Sequence, residues 1–164
     1  MDPLSKLNSL FLQDPYLDEV DFLPILDSLE YICTDHKLGI PYPLAVKLYG
    51  IAHAQFALER RRNLVMRDEF ECPGDDEGNI EQKKKEELFE ITCARQKMFE
   101  LTRALVLINA ANLTAWNTRK VMLCVESLAK AQCLDAAALL KEELRFVSLV
   151  LTRHPKTSEV WAHR

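Results

Sequence analysis

The chain has only four glycines in 164 residues, and few runs in which apolar and polar residues alternate, so strands have little support in it. It has no uninterrupted apolar run of the length needed to span a membrane as a helix. The acidic start, Met1-Asp2-Pro3, lacks the cationic and apolar regions of a signal peptide. It has no excess of positive charge: the formal net charge is -4, which argues against nucleic acid or an anionic membrane as the main partner. Its five cysteines are an odd number without a pairing rhythm, the pattern of reduced thiols in the cytoplasm rather than of a secreted disulfide framework. It also has no glycine-rich phosphate loop and no paired-acid motif. Cys33-x-x-His36 has metal-like spacing but no second half. The acids at 71–79 are out of register with a calcium loop around Gly78. His53, His154 and His163 have no nucleophile or carboxylate partner that the sequence identifies. No catalytic residue and no metal ligand are therefore expected.

What is present is hydrophobic content of 48%, enough for the core of one domain of ordinary size, arranged at helical spacing. Leu4, Leu7, Leu10 and Phe11 fall on one side of a helix from Pro3 to about Gln13, stopped by Asp14-Pro15. Tyr16 to Pro24 reads as a short helix or an irregular segment, and Asp35 to Pro41 reads as a loop because of its glycine and proline. From Pro43 to about Met66, Ala45, Leu48, Tyr49, Ala52 and Phe56 form an apolar stripe. Arg60-Arg61-Arg62 near its end suits the helix dipole. A second long helix opens with Lys83-Lys84-Lys85 and runs to about Ile108, with Leu88, Ile91, Met98, Leu101, Leu105 and Ile108 inward. A third, from about Ala115, carries Val121, Met122, Val125, Leu128 and Ala129 inward. After a break near Cys133-Leu134-Asp135, the last full helix presents Leu140, Leu144, Val147 and Leu151. The expected fold class is all-α. Its organisation is a leader of short helices at 1–42, then a helical region at 43–164 interrupted by a polar loop at 71–79.

The last third contains one pattern twice, at 105–119 and 150–164. Each copy is an apolar helix end, a polar turn, and a new helix whose first turn carries Trp and, three residues on, Arg. Trp116 and Arg119 align with Trp161 and Arg164, at a separation of 45 positions. Thr114 and Ser158 stand where an N-cap is expected, with Asn112 and Thr157 as the alternatives. Trp and Arg at i and i+3 share a helix face, where the ring can pack between layers beside the guanidinium. Packing glue between neighbouring hairpins is one reading of the pair. A recurring helix-turn-helix unit is the signature of an α-solenoid.

The pattern resembles the repeat of protein prenyltransferase α subunits, roughly Asn-Pro-x-x-Tyr-x-x-Trp-x-x-Arg. Asn109-Ala110 and His154-Pro155 each keep half of the Asn-Pro pair, and Leu113 and Ser158 replace the tyrosine. The unit is about ten residues longer than the ~35 of related helical repeats. Leu17 to Pro24, Lys37 to Ile40 and Leu48-Tyr49 are similar to the leader of a divergent branch, the proteins that contain prenyltransferase α subunit repeats. The resemblance implies an α-solenoid superhelix and an α-type scaffold subunit. The catalytic β subunit beside it, of the Rab geranylgeranyltransferase type, holds the zinc and the isoprenoid diphosphate and transfers the isoprenoid, expected to be geranylgeranyl, to cysteine of a protein substrate. Some family repeats place a lysine five residues before the tryptophan, near that diphosphate. Lys156 holds this place in the second copy and Ala111 in the first, so Lys156 is the candidate cofactor contact. The residues stop at Arg164, inside the first turn of a new helix, whereas a stacked array needs about three or more units and a polar cap. The solenoid is therefore expected to be incomplete at its C-terminus, the product of a longer gene. The other functional reading is a non-enzymatic α-solenoid adaptor that binds proteins.

Overall fold

The computed structural model describes residues 2–25, 27–69, 80–129 and 135–164, of which 63–69, 80–91, 125–129 and 135–136 are described as backbone alone. The first helix, α1 (Pro3–Gln13), starts where the side chain of Asp2 accepts a hydrogen bond from the Ser5 amide at 3.3 Å, with Pro3 in the first helical position. Proline is favoured there because its missing N–H is one the helix leaves unpaired in any case. Leu4 and Leu7 are buried, Leu10 and Phe11 pack on the core, and the helix ends before Asp14 as its sequence predicts.

The leader then departs from the all-α expectation. Residues 19–41 build a three-stranded sheet of β1 (Glu19–Leu23), β2 (Ile32–Thr34) and β3 (Lys37–Pro41), in the order β1-β3-β2. β1 runs parallel to β3, with Val20 opposite Leu38, and β2 runs antiparallel to it, with Cys33 opposite Leu38. The segment expected to be a short helix or irregular is thus β1, and the expected loop at 35–41 is a two-residue turn followed by a strand. Val20, Leu38 and Ile40 point into the core, the period-two pattern of a half-buried strand, but over runs of only five residues. The turn is Asp35-His36, both at positive φ (49° and 62°), as a tight hairpin whose twist matches its strands requires. Its His36 Nδ1 lies 2.9 Å from the Asp14 carboxylate at the end of α1. Gly39 sits close under its neighbour strand: a Cβ there would lie 2.6 Å from Leu23 Cδ1, so that side chain would have to shift.

Five further helices follow: α2 (Tyr42–Glu69), α3 (Ile80–Ile108), α4 (Leu113–Ala129), α5 (Asp135–Arg153) and α6 (Ser158–His163). Each packs on the one before it. The polar loop at 71–79 and most of the break near Cys133 lie outside the described residues, as do the side chains of Lys83 to Lys85, Leu88, Ile91, Val125, Leu128 and Ala129. The α2 stripe is as read from the sequence: Ala45, Leu48, Ala52 and Phe56 are buried and Tyr49 packs beside them. In α3, Met98, Leu101 and Leu105 are buried and Ile108 is half-buried. In α4 and α5 the expected face is met in part: Met122 and Val147 are buried and Leu151 packs on the core, but Val121, Leu140 and Leu144 are exposed, while Glu143, Phe146 and Val150 are buried.

One continuous core joins the leader to these helices, running from Leu4 and Val20 through Leu48 and Leu105 to Val150 and Val160. The outer edge of β1 is covered by α5. The Val20 amide donates to Thr152 Oγ1 at 3.3 Å, and Arg153 Nε pairs with Asp21 at 3.0 Å. Covering an edge strand satisfies backbone groups that would otherwise recruit another chain.

The two faces of α2 differ enough to test. Leu48 is fully buried (0% exposed) and Leu58 is 61% exposed. Leu48→Ala is expected to destabilise the fold by roughly 2–5 kcal/mol, and Leu58→Ala to stay within about 0.5 kcal/mol of the parent. Urea unfolding of the two variants checks this, and equal losses would contradict the packing described.

Candidate functional site: the repeated turn and its buried ion cluster

The two copies of the pattern share one backbone solution. At the end of α3 the Asn109 amide donates to Leu105 O at 2.8 Å, and at the end of α5 the His154 amide donates to Val150 O at 2.9 Å. In the turns, the Asn112 amide donates to Asn109 O, and the Thr157 amide to His154 O. The indole Nε1 of Trp116 donates to Ala110 O at 2.8 Å, and that of Trp161 donates to Pro155 O at 2.9 Å. Each tryptophan thus pins its ring across its own turn by bonding the carbonyl six residues upstream. The caps left open by the sequence resolve differently in the two copies. Asn112 caps α4 through its side chain, accepting from the Ala115 amide at 3.1 Å, whereas Thr157 occupies the cap of α6 without a side-chain bond.

The surroundings of the copies differ. Trp116 is buried (1% exposed), with the His163 ring 4.5 Å from its own, centroid to centroid. Trp161 is 52% exposed, and the Arg164 guanidinium lies 5.5 Å from its ring centroid. Arg119 is buried, but it packs beside Phe146 (4.5 Å) and Phe99 (5.2 Å) rather than beside its own tryptophan.

A buried guanidinium keeps its charge and must find acceptors for its donors. Arg119 finds a set of them on two helices. Its Nε donates to Glu143 Oε1 at 2.7 Å and its Nη2 to Glu143 Oε2, the planar two-point pairing that suits arginine and a carboxylate. Its Nη1 donates to Phe99 O at 3.1 Å and to Thr102 Oγ1 at 3.2 Å. His163, at the end of α6, completes the cluster with Nε2 2.8 Å from Glu143 Oε1. An ionised carboxylate only accepts, so this nitrogen carries the proton and donates. Burial by itself would raise the Glu143 pKa, but the hydrogen bonds from His163 and Arg119, with their charge, outweigh it and hold the carboxyl at about 2.

The sequence reading missed Glu143 and left His163 without a partner. The available signal was spacing: Glu143 lies four residues before Val147 on the helix, so it shares the buried face that Phe146 and Val150 mark. Lys156 is exposed on the turn before α6. The second turn meets the last turn of α3 through His154, whose Nε2 donates to Leu107 O at 3.3 Å. Burial lowers the His154 pKa, the bond to Leu107 opposes that, and Arg153 adds to it. Among the described residues no group of three or more His, Cys, Asp or Glu side chains is placed to hold a metal ion, and no helix is long and apolar enough to cross a membrane. Cys33, Cys93 and Cys124 are exposed free thiols.

The ion cluster predicts an acid limb in the stability curve. A carboxyl whose pKa falls on folding stabilises the folded state above its ordinary pKa of 4.5. That contribution is lost as the pH drops from there towards about 2. Glu143→Ala leaves Arg119 buried without its counter-charge and is expected to cost roughly 3–5 kcal/mol at neutral pH. In Glu143→Gln the loss between pH 4.5 and 2 is expected to flatten. Thermal melts across that range decide it, and an unchanged acid limb in Glu143→Gln would show that other carboxylates dominate.

No protein-family model matches the chain. Over 98% of its length it is 23% identical to the human "Protein prenyltransferase alpha subunit repeat-containing protein 1", covering 32% of that protein. It is likewise 23% identical over 98% of its length to the protein of the same name from Danio rerio and to "Protein prenyltransferase alpha subunit repeat-containing protein 1-B" from Xenopus laevis, covering 30% of each. The chain therefore spans about a third of the length of the curated relatives it matches. The similarity to the protein prenyltransferase alpha subunit repeat-containing proteins covers the leader and both repeated turns alike.

Proposed function

We propose that this chain is part of the α-type, non-catalytic subunit of a cytoplasmic protein prenyltransferase. In this reading its hairpins stack into an α-solenoid that supports a catalytic β subunit of the Rab geranylgeranyltransferase type. That subunit holds the zinc and transfers an isoprenoid, geranylgeranyl, to cysteine of a protein substrate. The observation that carries the reading is the same hydrogen-bonded turn in two copies, Trp116 and Trp161 each bound to the carbonyl six residues upstream, in a chain whose relatives are named for that repeat.

The division of labour follows from what each residue can supply. Arg119 and Glu143 are buried and paired with each other, and His163 adds one bond to the carboxylate, so they give stiffness to the scaffold rather than a reactive group to a substrate. Stiffness is what a scaffold contributes, because a preorganised surface loses less freedom on binding its partner. Lys156 differs from them: it is an exposed cation on a turn, and an ammonium is a suitable point charge for a diphosphate held by the partner.

Co-expression with a Rab-type geranylgeranyltransferase β subunit tests this, with the chain taken alone and within a protein as long as its relatives. The full-length form is expected to co-purify with the β subunit and to support isoprenoid transfer to an acceptor protein. Lys156→Ala is expected to leave pairing intact and to lower transfer about ten- to a hundredfold, the worth of one charge-assisted hydrogen bond. The exposed Lys47→Ala serves as the control that changes neither. Absence of pairing with any prenyltransferase β subunit would reject the subunit reading in favour of a protein-binding adaptor.

A further inference from the structure

The helix α2 is apolar on two opposite sides. One side carries Leu44, Leu48, Ala52 and Phe56 into the core. On the other, Val46, Gly50, Ala54 and Ala57 follow one another at three- and four-residue spacing, all exposed, Val46 at 75%. Beside them the His53 ring lies stacked on that of Tyr49, 5.9 Å between centroids, and exposed Tyr42 extends the strip to the start of the helix. A helix side turned to water normally carries charge, and a helix apolar all round is a buried one. Gly50 adds to this: a glycine inside a helix is less favourable than alanine, yet a Cβ there would meet no atom within 4 Å, so nothing in the fold requires it. One turn on, the strip reaches Arg60 and Arg61, both exposed. From Tyr42 to Met66 the sequence holds a single acid, Glu59. It is buried, and its carboxylate pairs with Lys97 Nζ of α3 at 2.6 Å, with Arg62 further off at 3.8 Å. Among the described residues no carboxylate pairs with Arg60 or Arg61.

We infer that the outward face of α2 is a docking surface for an acidic amphipathic helix of a partner protein. The apolar stripe of that helix lies along Val46, Gly50 and Ala57, and its carboxylates meet Arg60 and Arg61. Charge complementarity selects this occupant, because the strip ends in two guanidinium groups for which the helix itself supplies no free acid. A second copy of the same face would bring none either. A broad anionic surface such as a lipid bilayer is disfavoured by the rest of the chain, whose net charge is -4, whereas a single helix meets the local cations alone. The dimensions agree: Val46 to Arg61 is about 22 Å of helix, or about four turns of a partner. The missing side chain at Gly50 lets the two axes approach closely. The surface lies on a different element from the repeated turns, and the inference goes beyond the subunit reading.

The probe is a fluorescently labelled helical peptide of about 16 residues, with leucine and alanine along one face and glutamates in its first turn, beside a match in which glutamine replaces glutamate. Anisotropy titration with the chain is expected to show the glutamate peptide binding about tenfold tighter than the glutamine peptide. That difference is expected to vanish in the double variant Arg60→Gln, Arg61→Gln and at high salt. Gly50→Trp fills the open space over the helix, so the circular dichroism of the chain stays as in the parent while peptide binding falls about tenfold or more. Val46→Glu, at an exposed position of the same strip, is expected to weaken the glutamate peptide equally and provides a second variant should Gly50→Trp disturb the helix. No binding, equal binding of the two peptides, or binding that survives both α2 variants overturns the proposal. Equal or tighter binding to phosphatidylserine vesicles also overturns it and assigns the face to a membrane surface. A concentration-dependent dimer that Gly50→Trp disrupts overturns it too, and assigns the face to a second copy. None of these readouts involves a β subunit, so failure of the prenyltransferase reading and failure of this one are told apart.

Discussion

The buried pair of Arg119 and Glu143 is the constraint around which the helical half is arranged. Each charge would be costly alone in the interior, so the two must arrive together and in one geometry. The carboxylate oxygens lie in the guanidinium plane while Phe99 and Phe146 occupy its flanks. A backbone carbonyl and a hydroxyl of α3 take the remaining donor. Four elements meet at this pair: α3 through Phe99 and Thr102 on Arg119, α4 through Arg119, α5 through Glu143, and α6 through His163 on Glu143. A slide of any of these helices by one residue would leave a charged group unpaired, whereas an all-apolar contact would tolerate many small shifts. Such a cluster contributes specificity of register more than net stability.

The turn geometry does the same on a smaller scale. An indole N–H buried without an acceptor is unfavourable, and in both copies the acceptor is a carbonyl of the turn that launches the helix. The tryptophan therefore fixes the angle at which one helix leaves the other. The ring's outer face then becomes part of whatever packs next. His154 ties the second turn to the end of α3 through Leu107 O, so their relative position rests on a direct hydrogen bond as well as on apolar contact.

The helices were legible because their signal is long. Eleven or more residues of periodic sequence in α1 and α2 average out local ambiguity, and the stripe ending at Phe56 is buried as its spacing indicates. The sheet was not legible. Its strands have three and five residues, too few for alternation to stand out, and β3 contains the glycine and proline that normally mark a loop. What makes a strand of Lys37 to Pro41 is non-local: it pairs with two neighbouring strands, one parallel and one antiparallel. The same limit applies at the repeated turn. Trp and Arg were visible as a spaced pair, but Glu143 lies 24 positions from Arg119 and His163 lies 20 from Glu143. In the charged run Lys141 to Glu143 only the spacing to Val147 marks the acid that turns inward, and that signal does not name its partner. The outward position of Leu140 and Leu144 has the same origin, since the charged neighbour took the face that apolar spacing had assigned to them.

The bond between the Val20 amide and Thr152 spans 132 residues, and that distance has a meaning during synthesis. A ribosome adding about 5–20 residues per second makes α5 on the order of ten seconds after β1. Through that interval the sheet can close on itself by way of β2 and β3, but one margin of β1 has no lid. The nascent chain thus carries an open strand edge until its fifth helix is complete, and an edge of that kind can pair with a neighbouring chain.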